Sequence, residues 1–285
     1  MFTLCSFHEK SDGFVKIRPE DIYHFEDVPM GKVIAFANQK GGVGKSTLTV
    51  QAAFYLRKHR KKKVLVIDVD SQGNTTESIL QGEPYTGTSS AALFEPELNE
   101  LSIYDGTPYG VDLIGSESNS NEGYDVESRE LDVVKNPAAN IEALKDAYDY
   151  ILVDCPPSLG RKLLGGLVMA DYVICPVKLS GYAIGGVSGM TNTIRAVQQN
   201  FNPSLKFLGV IVNEYDDSAS AKSTLEYLTS ETNCDIFTAK LRHRAPIDAA
   251  TTMGIPVDEI RNGRRAFEEI EAVYKEMLSR IKKAG

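Results

Sequence analysis

The chain has 285 residues, 42% of them hydrophobic, and a net charge of −8. This is enough for one large domain with a substantial core. No apolar run reaches the roughly 18 residues a membrane span needs, and the acidic balance excludes a chain coated in basic surface, though a local basic patch could still meet phosphates. The start, Met-Phe-Thr-Leu-Cys-Ser, lacks the basic head and apolar stretch of a signal peptide. Cys5, Cys155, Cys175 and Cys234 show no metal-ligand spacing and read as reduced thiols of a cytosolic protein, two of them in core strands.

Residues 1–30 are polar and mixed and read as an N-terminal extension, with one helical turn around residues 19–23 between Pro19 and Pro29. From residue 31 to 285 the pattern is that of a single domain. An apolar strand at 33–38 leads into a glycine-rich loop at 40–47 and a helix at 46–58. A second strand, 64–68, precedes a helix near 75–80. Residues 82–130 are less regular, with a helix at 89–94, a strand at 111–114 and a Ser/Asn/Glu-rich loop or helix start at 116–128. A helix is expected at 140–147, then strands at 151–154, 172–176 and 207–213, with helices at 184–200 and 219–229 between and after them. A late strand is expected at 236–241 and a closing helix at 264–283. Strands alternating with helices predict an α/β fold: one doubly wound, mostly parallel sheet with helices on both faces.

The loop reads K-G-G-V-G-K-S-T. Gly41, Gly42 and Gly44 let successive amides turn inward around Val43 onto a phosphate, and the helix beginning near Ser46 and Thr47 adds its positive end. Lys45 is expected on the β- and γ-phosphates and Ser46 on Mg2+. The standard G-x-x-x-x-G-K-[ST] pattern is missed at its first glycine, which is Gln39 here, and an additional lysine, Lys40, follows it. Two apolar strands end in carboxylates, at Asp68-Val-Asp70 and at Asp154. Carboxyl ends of neighbouring parallel strands face one crevice. Asp154 is therefore expected to hold Mg2+ through water, and Asp70 to orient or deprotonate the attacking water. Asp68 either joins them or caps the following turn.

Together K-G-G-V-G-K-S-T, D-V-D-S-Q-G-N-T-T and I-L-V-D-C-P-P-S-L resemble the ParA family of DNA-partitioning ATPases, within the deviant Walker A group of P-loop NTPases that includes MinD. The similarity continues through residues 170–177, 207–213 and 253–257 and covers the chain from about residue 31 onward. The family usually has proline where Ser71 stands, so this loop is expected to be less rigid. The resemblance implies an ATPase that uses ATP and Mg2+. It implies that Lys40 crosses to the partner's phosphates in an ATP-bound homodimer, with Lys40, Lys45 and Asp70 as the catalytic set, and that Asn213 reads the adenine edge. It implies non-specific DNA binding by late basic residues, with Arg195, Arg242 and Arg244 the candidates, and hydrolysis that is slow until a ParB-type centromere-binding protein stimulates it. The protein is then cytoplasmic and nucleoid-associated, with no membrane contact. The chain looks like the small type without an N-terminal helix-turn-helix module, so operator binding is not expected. The alternative is a MinD-like ATPase that positions another cargo on membrane or nucleoid. The apolar stripe of the last helix is expected to pack on the core, membrane attachment being the other use of such a stripe.

Overall fold

The computed structural model describes residues 14–17, 30–98, 100–116, 122–180, 183–232 and 234–285. Its strands are β1 (Phe14–Ile17), β2 (Lys32–Phe36), β3 (Val64–Asp68), β4 (Leu101–Tyr104), β5 (Asp112–Ile114), β6 (Tyr150–Asp154), β7 (Tyr172–Lys178) and β8 (Lys206–Asn213). The helices are α1 (Lys45–Arg60), α2 (Asn74–Leu80), α3 (Glu122–Ser128), α4 (Asn136–Ile141), α5 (Arg161–Val168), α6 (Ala183–Asn200), α7 (Ala219–Thr232), α8 (Ala245–Met253) and α9 (Arg264–Ala284). The strands form one sheet in the order β1-β4-β5-β3-β6-β2-β7-β8. The ladder is parallel from β5 to β8, while β4 pairs antiparallel with both β5 and β1.

Strand alternation divides the core into two layers. Val33 and Ala35 of β2 join Ile151 and Val153 of β6 against α5 and α6, where Leu163, Leu167, Met190 and Ile194 are buried. Ile34 and Phe36 join Val66 and Leu152 on the other face, against Leu48 and Phe54 of α1 and Val273 and Met277 of α9. Both faces of the central strands are therefore apolar, which is why these strands read as continuous hydrophobic runs. The expected doubly wound sheet is what forms.

The stripe of α9 packs on this second layer, with Ile270, Val273, Tyr274 and Met277 buried. The Tyr274 hydroxyl donates to Leu48 O at 2.7 Å, so its polar end is satisfied inside the core. Among the described residues no helix is long and apolar enough to cross a membrane.

Several elements depart from the sequence reading. The strand expected at 236–241 is reduced to a single bridge between Ile236 and Val210. Beyond it the amides of Thr238 and Ala239 donate to the Glu276 carboxylate of α9, at 2.9 Å each, and backbone bonding to the end of β8 resumes only at Leu241, whose amide donates to Val212 O at 3.0 Å. Phe14–Ile17, inside the expected extension, adds the outermost strand beside β4; the sequence pattern predicts neither strand. The helical turn expected around residues 19–23 lies outside the described residues, as do 117–121 of the Ser/Asn/Glu-rich stretch, while 122–128 form α3. Helices α5 and α8 also go beyond the sequence reading.

Candidate active site

The carboxyl ends of β2, β3, β6, β7 and β8 open into one cavity of about 1030 Å3. Its floor is the loop before α1. Gly42 (φ 68°) and Gly44 (φ 96°) are left-handed, a conformation that L side chains rarely adopt. Gly44 is also crowded: a Cβ there would lie 2.3 Å from Asn213 Nδ2. That amide reaches across from the end of β8 and donates to Val43 O at 3.0 Å. Asn213 thus clamps the glycine loop as well as lining the cavity.

The two lysines of the loop part company. Lys45 is buried, lines the cavity, and donates to Lys40 O at 3.2 Å. Lys40 is held by its own amide on Asn38 Oδ1 (2.9 Å), and Asn38 in turn donates to Pro176 O (2.7 Å). The Lys40 ammonium donates to Ser180 Oγ at 3.0 Å, and Lys40 is not part of the cavity wall. Gln39, at the position of the missing glycine, is tied to α6 through Thr193 Oγ1 at 2.7 Å.

Asp154 and Asp68 are register partners across β6 and β3, and both are fully buried. Thr75 Oγ1 donates to Asp154 Oδ2 at 2.7 Å, while Asp154 Oδ1 is buried with no protein partner. Burial pushes the Asp154 carboxyl up to about 6, against the lowering effect of the neighbouring Ser46 and Thr75 hydroxyls. An orphaned carboxylate oxygen beside a serine hydroxyl fits a hydrated hard cation. Among the described residues no three His, Cys, Asp or Glu side chains converge on a metal site, so such a cation would complete its shell with water and phosphate oxygens.

Asp68 proves to be the cap. Its Oδ2 accepts from Thr76 N (2.9 Å) and Thr76 Oγ1 (2.8 Å), serving the first turn of α2 where Gly73 has no side chain to offer. Its Oδ1 accepts from Asp70 N at 3.1 Å. Burial, and then the Asp154 charge, raise its pKa still further than that of Asp154. Asp70 is nearly buried but lines the cavity, and its Oδ1 accepts from Gln72 N at 3.1 Å.

The three candidate DNA-binding arginines are not brought together. Arg242 and Arg244 line the mouth of the cavity beside α8. Arg242 pairs with Asp217, and the guanidinium of Arg244 grips Glu269 of α9. The Glu269 carboxylate also accepts from Arg242 N at 3.0 Å. Arg195 stands exposed on α6, in the other layer, and does not line the cavity.

Three contributors went unseen in the sequence. Thr75 is one; its position two residues past Gly73, at the start of α2, was the available signal. The others are Lys178 and Glu214, which pair at 2.6 Å on the cavity wall, with Glu214 left-handed at φ 54°. Only the convergence of β7 and β8 makes that pair.

The AAA domain family profile matches residues 31–207. The chromosome partitioning protein ParA of Myxococcus xanthus is 30% identical over 263 residues, covering 88% of this chain and 89% of that protein. Cobyrinic acid a,c-diamide synthase of Mycobacterium smegmatis, solved with ADP and magnesium, is 27% identical with a TM-score of 0.64, over 79% of this chain and 91% of the other. A McdA variant of Cyanothece in complex with ATP is 18% identical and shares the fold at a TM-score of 0.76, over 88% of this chain and 97% of the other. The likeness to the Myxococcus protein runs over most of both sequences, and the family profile covers more than half of this chain: the chain belongs to the ParA family of P-loop ATPases.

Proposed function

We propose that the protein is a DNA-partition ATPase whose ATP-bound dimer coats DNA without sequence preference and leaves it when hydrolysis, stimulated by a ParB-type centromere-binding partner, takes the dimer apart. The observation that carries this reading is the division of labour between two lysines in one loop. Lys45 faces its own cavity, whereas Lys40 is turned out of it toward Ser180. A second cation beside the cavity, anchored on Ser180 Oγ outside the cavity wall, suits a second subunit docked face to face. There the buried phosphate charges of a sandwiched nucleotide need an additional counter-charge.

Within one subunit the loop amides and Lys45 bind the phosphates of ATP. Ser46 and Asp154 would hold Mg2+, Asp154 through water. The cation neutralises phosphate charge when bound. Asp70 orients the attacking water, and Asn213, which lines the cavity and donates to Val43 O, reads the adenine edge. Two separate patches are candidates for the DNA contact: exposed Arg195 on α6 in one layer, and Arg242 and Arg244 at the cavity mouth in the other. Arg242 and Arg244 line the cavity mouth, and dimerisation would double the phosphate contacts of either patch. Their carboxylate partners lower their free charge, so Arg195 is tested separately. The cell compartment that follows from this reading is the nucleoid.

Binding to a random-sequence duplex with ATP, ADP or no nucleotide tests the proposal. ATP-dependent, salt-sensitive binding should fall about ten-fold or more in Lys40→Ala, and by a similar factor in Arg195→Ala or in Arg242→Ala/Arg244→Ala if those residues form the face. Loss in Lys40→Ala alone keeps the dimer and moves the DNA face elsewhere. No binding at low salt in any state overturns the DNA reading in favour of another cargo.

A further inference from the structure

Lys162 is the second residue of α5 and is 2% exposed. Its backbone is fixed by Glu127 of α3, whose carboxylate accepts from Arg161 N at 2.7 Å and from Lys162 N at 3.1 Å. Glycine at 160 is what admits that carboxylate, since a Cβ there would lie 2.1 Å from Glu127 Oε2. From this anchored start of α5 the Lys162 ammonium reaches across to Ser71 Oγ at 2.9 Å.

Ser71 occupies a defined place. Gly73 N donates to Asp70 O at 3.0 Å, closing a turn with Asp70 first and Ser71 second. Neither Ser71 nor Gln72 is left-handed, which fits a type I turn. The Asp70 side chain belongs to the same turn, accepting from Gln72 N. The direction of the Asp70 carboxylate is therefore set by how this turn is seated, and Lys162 seats it from behind. Lys162 is buried and does not line the cavity. Desolvating an ammonium is costly, and it is tolerated where its hydrogen bonds are fixed by the surrounding structure.

We propose that Lys162 is a positioning residue for hydrolysis: through Ser71 Oγ it ties the Asp70 turn to the start of α5. The helix follows the loop that leaves Asp154, so the two acidic loops are held in one frame. This rests on the reading of Asp70 as the residue that orients the attacking water. The tie acts on the geometry of the water and not on nucleotide affinity, so its loss appears in kcat and not in KM. Proline at 71 would supply the same rigidity by another route, because its ring presets φ at the second position of a type I turn.

Steady-state ATP hydrolysis by the full chain with Mg2+ is measured for Ser71→Ala, Lys162→Met, the double variant, Lys162→Met/Ser71→Pro and Asp70→Asn. We expect Ser71→Ala and Lys162→Met each to lower kcat about ten-fold with KM for ATP within about two-fold, and the double variant to be no slower than the slower single one. Adding Ser71→Pro should return Lys162→Met to within about three-fold of the parent kcat. A Ser71→Ala kcat within about two-fold of the parent overturns the proposal, and this arm stands even if Lys162→Met does not fold. So does a Lys162→Met defect that proline leaves uncorrected. If Asp70→Asn is inactive while Ser71→Ala is normal, the tie alone fails. If Asp70→Asn hydrolyses ATP at the parent rate, the reading of Asp70 fails and the tie falls with it.

Discussion

Two carboxylates side by side at the ends of β3 and β6 are left in different states by their surroundings. Asp68 meets three donors and is used up as a cap, whereas Asp154 keeps one oxygen unpartnered. With its pKa raised to about 6, chiefly by burial, Asp154 is ionised at pH 7.5 and gains a proton as the pH falls through that value. If Asp154 holds the cation as proposed, its protonation should weaken Mg2+-dependent ATP binding only about four-fold between pH 7 and 5.5. Binding titrations at fixed ionic strength would show this, and Asp154→Asn should bind weakly at every pH without that step. At this scale the sequence was legible wherever a residue's role follows from its local motif. The glycine loop with Lys45, and the convergence of Asp70 and Asp154 on one edge, were legible in this way as positions. Asp68 was ambiguous because a carboxylate after a strand can cap or catalyse, and only the position of Thr76 decides. Lys162 carried no local signal, since its acceptor is 91 residues away.

Among the elements, α8 shows how a helix with sound punctuation escapes a reading by periodicity. Pro246 stands in its first turn and Gly254 just past its end, the usual asymmetry. Its nine residues carry only Ile247 and Ala250 as buried positions, too little stripe to stand out. Gly254 is required by close packing as well as by conformation. It is left-handed at φ 64°, and a Cβ would lie 1.9 Å from Ser78 O of α2. Gly254→Ala should therefore destabilise the fold by at least about 2 kcal/mol, left-handed strain and the clash together, as urea unfolding would measure. A similar difficulty hides α5, whose Gly165 and Gly166 weaken its helical signal yet let it lie against Phe94 and Cys155. The segment after Ile236 has strand-like residues, but Glu276 takes the amides of Thr238 and Ala239. Propensity describes what a segment can do, and the neighbouring helix determines which donors remain.

In the whole molecule, the glycine loop, Asp70, Asp154 and Asn213 come from four strands and meet only because a parallel sheet brings its carboxyl ends to one edge. Ligand that binds across this edge joins elements from both layers and should stabilise them together. At a hundred times its dissociation constant, ATP with Mg2+ should add about 2.7 kcal/mol to unfolding free energy. Thermal scans should show this in the parent and much less of it in Asp154→Asn. The sequence by itself determined the doubly wound sheet, the phosphate loop and the strand-end carboxylates, because apolar periodicity and glycine-rich turns are properties of neighbours along the chain. Tertiary structure alone decided that Asn213 clamps the loop, that Lys40 turns out of the cavity, that Arg242 and Arg244 are held by Asp217 and Glu269, and that Lys162 reaches Ser71. Each of these joins a side chain to a group far along the chain, and a hydrogen bond or ion pair is set by distance in space.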